Sequence, residues 1–192
     1  HFHKCDQFQV MFGAPGAFYQ RPPIASALLH YSDAYSVYGP FGAGSEEPFF
    51  FYTLRAVQST LHGAMPEMRD QLAYIGERQF RIELQPLLDA PAPSDGVAVE
   101  TLFGPYPDGL AAYLVRFAPG AEASPPAGEL RSGRYTVGIE GEFEYDGRSY
   151  GPKSLGWSQG EIEDVTFTGG PTGAAVLFLH LPYPESPISH ER

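Results

Sequence analysis

Three histidines, a glutamine and an aspartate early in the chain are residue types that can hold a metal ion. His1 and His3 lie two apart, so on a strand both imidazoles leave the same face. His30, from a distant strand, supplies a third imidazole. A neutral carbonyl oxygen from Gln7, or the charged oxygen of Asp6, could complete the set. Strand pleating points only one of the two inward, and Gln7 is preferred. A nitrogen-rich site with open positions suits one divalent transition metal, iron first, with Mn, Ni, Cu or Zn as alternatives. The competing view is that His-x-His at a chain end is a tag remnant or an exposed terminus.

Other reactive residues carry less. His62 precedes Gly63 in an expected loop, His180 ends an apolar strand as a structural histidine, and His190 lies in a polar tail. Cys5 sits among the candidate ligands as a bystander. From His30 to Phe41 the chain is dense in aromatic residues, so Tyr31, Tyr35 and Tyr38 are candidates for an apolar substrate pocket beside the metal. They could equally be rings that cap a core. Ser32 and Asp33 beside His30 form no triad, because neighbours on a strand face opposite ways. Nucleophile elbows, phosphate loops and dinucleotide fingerprints are absent.

Short strands separated by Gly and Pro must position these residues. The expected strands are Gln7–Phe12, Ile24–Tyr31, Phe49–Val57, Val97–Phe103, Leu110–Phe117, Arg134–Glu140, Glu142–Tyr145, Asp164–Thr168 and Ala174–Leu181. Phe49 to Leu54 is continuously apolar apart from Thr53, as in a strand buried on both faces. One segment reads as a helix, Pro66–Gln79, with Met65, Met68, Leu72 and Ile75 forming an apolar stripe. Pro66 fits its first turn. The Pro-rich stretch Pro86–Gly96 reads as a linker. The expected layout is therefore a first β domain over 1–60, helix and linker over 61–96, a second β domain over 97–184, and a tail over 185–192.

The halves share a similar run of strand, glycine, strand and turn. Gly13 to His30 spans 17 positions and Gly141 to Trp157 spans 16. Only the first half carries the histidines.

Composition excludes more than it names. The 192 residues include 12 Lys+Arg against 23 Asp+Glu, a net charge of −11, which argues against a nucleic-acid binder. Apolar residues at 43%, with 14 Phe and 12 Tyr, can build a core. One cysteine forms no internal disulfide, and no signal-peptide pattern appears, so a cytoplasmic location is expected. No apolar run approaches the roughly 18 residues of a spanning helix.

The histidine pattern resembles the cupin superfamily. Its first motif places His-x-His, three or four residues, Glu or a substitute, then a glycine. His1-Phe2-His3, Gln7 and Gly13 match it, with Gln in the Glu position and one residue fewer before the glycine. His30 matches the second-motif histidine; the usual following asparagine is not evident, and Asp33 stands nearby. Pro119-Gly120, Tyr135 to Gly141-Glu142, and Asp146-Gly147 resemble a second cupin domain without metal ligands.

The resemblance implies an all-β fold of two tandem jelly-roll (double-stranded β-helix) barrels with one short α-helix between them. It also implies that strands preceding His1 are missing, leaving an edge that a homodimer partner could cover. The activity implied first is a metal-dependent oxidoreductase of dioxygenase type acting on a small organic substrate. His1, His3 and His30 would hold the ion, with Gln7 as a fourth ligand. A neutral Gln leaves the site one charge more positive and favours an anionic substrate. The alternatives are a non-catalytic small-molecule or metal-binding cupin, a metal-assisted isomerase or lyase, and a copper site using the His1 amine.

Overall fold

The structure is a computed structural model, and it describes residues 1–44, 48–56, 62–72, 78–128, 130–160 and 165–183. It is almost entirely β, in two compact units, the first His1–Leu87 and the second beginning at Leu88.

The first unit contains β1 (Phe2–His3), β2 (Gln7–Phe12), β3 (Phe18–Tyr19), β4 (Ala27–Ser32), β5 (Phe41–Gly42), β6 (Phe50–Leu54), β7 (His62–Gly63) and β8 (Gln79–Glu83). Four of them form an antiparallel sheet in the order β6-β2-β4-β8, while β1 pairs with β7 and β3 with β5. Strands β2 and β4 are central and buried along their whole length. One face of their sheet packs Met11 and Leu28 against Tyr19, Ile24 and Tyr38. The other carries Phe8 and Tyr31, whose rings lie 5.0 Å apart.

The second unit contains β9 (Val97–Phe103), β10 (Ala111–Phe117), β11 (Glu122–Ala123), β12 (Arg134–Tyr145), β13 (Arg148–Tyr150), β14 (Leu155–Ser158) and β15 (Phe167–His180). They join in one sheet of order β13-β12-β15-β10-β9, with β11 on β15 and β14 on β12. Its core is lined by Tyr113, Val115, Phe117, Phe143, Phe167, Val176 and Phe178, among others.

Several expectations are corrected. The helix over Pro66–Gln79 does not form where the chain is described: a 3-10 turn occupies Arg69–Gln71, Leu72 is extended, and Gln79 opens β8. Ile75 lies outside the described residues. Met65, Met68 and Leu72 are only half-buried, and a short helix without an apolar face to bury is marginal. Among the described residues the one α-helix is instead a single turn, α1 (Gln85–Leu88), at the start of the Pro-rich linker, where Pro86 fits a first turn.

The run Phe49 to Leu54 is not buried on both faces either. As β6 it lies at the sheet edge, and Phe50 and Phe51 remain 39% and 37% exposed. The two strands expected on either side of Gly141 are one. The ladder shifts register at Gly138/Glu140 and at Gly141/Phe143, and Gly141 at φ 66° absorbs the second shift. Strand β15 likewise runs unbroken where two strands were expected.

Candidate functional site

Antiparallel pairing sets the face on which each polar side chain of the first unit emerges. Gln7 is opposite Ser32, Gln9 opposite His30, and Met11 opposite Leu28. His30 in turn faces Arg81 of β8. Alternation therefore gathers Gln7, Gln9 and His30 on the face that meets Tyr38. Tyr31, one residue past His30, emerges on the opposite face and bonds Asp33 at 2.8 Å. Burial, with the Asp6 and Asp33 carboxylates nearby, pushes the Tyr31 phenol up. Asp6 accepts the Ala34 amide at 2.8 Å, whereas Gln7 faces the histidines' side.

The loop after β4 brings the first strand in. The Tyr35 amide donates to the His3 carbonyl at 2.7 Å, and the Tyr38 amide to the His1 carbonyl at 3.0 Å. The Tyr35 ring leaves the site and stacks on Phe2 at 5.9 Å. The Tyr38 ring stays and becomes the hub. Its centre is 4.5 Å from that of His1, 4.9 Å from His30 and 6.0 Å from His3. The Gln7 amide donates to its hydroxyl, and Gln9 bonds it too. Burial pushes the Tyr38 phenol up to about 12, against smaller opposing effects of Gln7 and Arg55.

Each histidine has its own surroundings. His30 is fully buried; its Nδ1 is 3.0 Å from Gln9 Oε1 and its Nε2 3.2 Å from Gln79 Nε2. Both contacts are met by a neutral ring that donates from Nδ1 and accepts at Nε2. Burial, then the Arg81 charge, lowers its pKa to about 4. His3 is half-buried, its ring 5.1 Å from His1 and 5.8 Å from His62, which pairs with it across β1 and β7. Its pKa also falls to about 4, through burial first and then Arg55 and His62.

Arg55 follows β6. Its Nε and Nη2 donate to Gln7 Oε1 at 3.0 and 2.8 Å, and Nη2 lies 3.1 Å from His3 Nδ1. A guanidinium cation thus sits on two of the four groups nominated as metal ligands. The residues do not fit a bound transition metal in this arrangement. Arg55 covers the Gln7 oxygen and one His3 nitrogen, both His30 nitrogens face amides, and the Tyr38 ring packs against all three imidazoles. Among the described residues no three His, Cys, Asp or Glu converge as ligands.

The arrangement unites His1, His3, Gln7, His30 and Tyr38, and leaves Tyr31 and Tyr35 outside. Gln9, Arg55, His62 and Gln79 are additions. Gln9 was findable, two residues from Gln7 and hence on its face. So was β8, since Gln79-Phe80-Arg81-Ile82-Glu83-Leu84 alternates polar and apolar residues. Arg55 gave no local sign.

No protein-family model matches the chain, and no curated protein matches it in sequence. Solved structures do. The Cupin_2 domain of an XRE-family transcriptional regulator from Enterobacter cloacae aligns at 22% identity and TM-score 0.37, covering 46% of this chain and 99% of that one. A variant of salicylate 1,2-dioxygenase from Pseudoaminobacter salicylatoxidans aligns at 13% identity and TM-score 0.50, over 93% of this chain and 66% of that one. A candidate dioxygenase from Nostoc punctiforme aligns at 11% identity and TM-score 0.61, over 96% of this chain and 68% of that one. The fold is that of the cupins. At these identities the likeness concerns the fold alone. Within this fold, the site at Tyr38 joins the Gln7 and Gln9 amides, the neutral His3 and His30 rings and the Arg55 guanidinium.

Proposed function

We propose that this cupin binds a small anionic organic molecule in its first unit, at a site that works without a resident metal. The observation that carries the reading is Arg55, whose guanidinium bonds Gln7 and His3. His3 and His30 stay neutral down to about pH 4, and the Arg55 guanidinium is the cation bonded directly to Gln7 and His3. A ligand carboxylate could replace Gln7 and His3 as acceptors, in the two-pronged geometry that guanidinium groups favour. The rings of His1 and Tyr38 would flank it.

Metal analysis with calorimetric titration against a panel of small carboxylates tests this. The expected result is less than stoichiometric metal, with carboxylate binding weakened at least tenfold by Arg55→Gln. Stoichiometric iron that survives dialysis, and is lost when His1 and His3 are changed to Ala, overturns it.

That outcome would favour a second reading, a metal-dependent oxidoreductase of dioxygenase type. The adjacent rings of His1 and His3 support it, as does the likeness to a candidate dioxygenase over 96% of the chain. It requires Arg55 to leave His3 and Gln7. Oxygen uptake on adding a small organic substrate to iron-loaded protein is its signature.

A further inference from the structure

The second unit has no counterpart of the histidine cluster, yet it holds a buried cation. Arg134 opens β12 and is only 6% exposed. Across the ladder it pairs with His180 of β15, which is 1% exposed. Arg134 lies on the strand face shared with Thr136, opposite the strand neighbours His180 and Phe178. Its guanidinium carbon stands 5.5 Å from the centre of the Phe178 ring.

Among the described residues no carboxylate pairs with it. Arg134 Nε, His180 Nε2 and Ser132 Oγ are all buried without a hydrogen-bond partner. A guanidinium does not shed its proton in a protein, so burial leaves it charged. Buried charges are normally paired, because removing an ion from water costs several kcal/mol that only a partner offsets. His180, held neutral by burial beside this cation, brings a second polar nitrogen to the same end of the ladder. A buried guanidinium in such surroundings attracts an anion.

A cavity of about 120 Å³ lies along the same strand. Thr136, next on the face of Arg134, and Ser158, opposite Arg134 across β14, both line it. Its walls are rings, among them Phe143, Tyr145, Trp157 and Phe167. Phe167 is 5.1 Å from Phe178, the ring beneath the guanidinium, and the Tyr145 phenol is close enough to act electrostatically on Arg134. An apolar cavity of roughly 150 Å³ accepts benzene, so this one is of the size for a single small ring.

We propose that the second unit binds a small aromatic carboxylate, with its ring among these side chains and its carboxylate on Arg134 and His180. The recognition would combine a charge-assisted pair with ring stacking.

The chain has one tryptophan, Trp157, which lines this cavity. Its fluorescence therefore reports on the second unit directly. Benzoate, titrated into the full chain, should give a saturable change. Benzamide, of the same shape but neutral, should bind at least tenfold more weakly. Arg134→Gln should lose at least tenfold in benzoate affinity and leave benzamide unchanged. The proposal is overturned by the absence of a saturable benzoate response, by benzamide binding as tightly, or by full benzoate affinity in a folded Arg134→Gln variant. Where that variant does not fold, the ratio of benzoate to benzamide affinity in the unaltered protein decides alone.

Discussion

Tyr38 holds the candidate site together through one oxygen. The amides of Gln7 and Gln9 both reach its hydroxyl, and both side chains are almost wholly buried. Glutamine suits this place better than glutamate: one amide end bonds Tyr38 while the other meets a guanidinium or an imidazole. Neutral amides can also be buried at less cost than carboxylates. Changing Tyr38 to Phe keeps the ring packing but deprives two buried amides of their acceptor. The expected loss is about 1–3 kcal/mol in urea unfolding, the range for orphaned buried donors. An unchanged midpoint would mean that the hydroxyl is not the hub. Arg55 acts differently, since its charge also lowers the His3 pKa.

At the scale of elements, glycines decide where backbones may touch. Gly13 follows β2, and an added Cβ there would lie 2.6 Å from the Ala25 carbonyl oxygen and 2.7 Å from that of Ile24. Gly141 carries a bulge of β12, and a Cβ there would lie 2.1 Å from the Gly173 carbonyl oxygen, at a φ of 66°. Backbone cannot yield as a side-chain tip does. Gly13→Ala and Gly141→Ala should each cost about 2 kcal/mol or more, read as lowered urea midpoints with an unaltered m-value. Losses under about 0.5 kcal/mol would show that the strands part easily at these points.

These same strands show what local pattern can disclose. Strands β2 and β9 were legible to their end residues, because apolar runs there are bounded by turns. The His1, His3 and His30 pattern pointed to the correct fold. The spacing of Met65, Met68 and Leu72 suggests a helix that the described residues do not form, because apolar spacing says nothing about whether a face finds something to cover it. Arg55 and the hub role of Tyr38 were illegible for another reason: their bonds to Gln7 span 48 and 31 residues, and only the sheet brings them together.

For the chain as a whole, acid should act through histidines before it acts through the abundant carboxylates. His30 in the first unit and His180 in the second are buried, and each has its pKa lowered from 6.5 to about 4, mainly by burial. In the unfolded chain both take up protons near pH 6.5, whereas in the folded chain they resist until about pH 4. Between these values the unfolded state binds more protons, so stability rises with pH through this window and is fully present above 6.5. Each histidine accounts for about 3 kcal/mol lost on going from pH 7 to pH 4. Urea unfolding should therefore be nearly flat from pH 7 to 8 and fall steeply below 6.5. His30→Gln should flatten part of that slope, whatever it does to stability at pH 7. An unaltered slope in a folded His30→Gln variant would mean that the ring is already solvated, and the buried, neutral imidazole would then no longer stand as a member of the Tyr38 network.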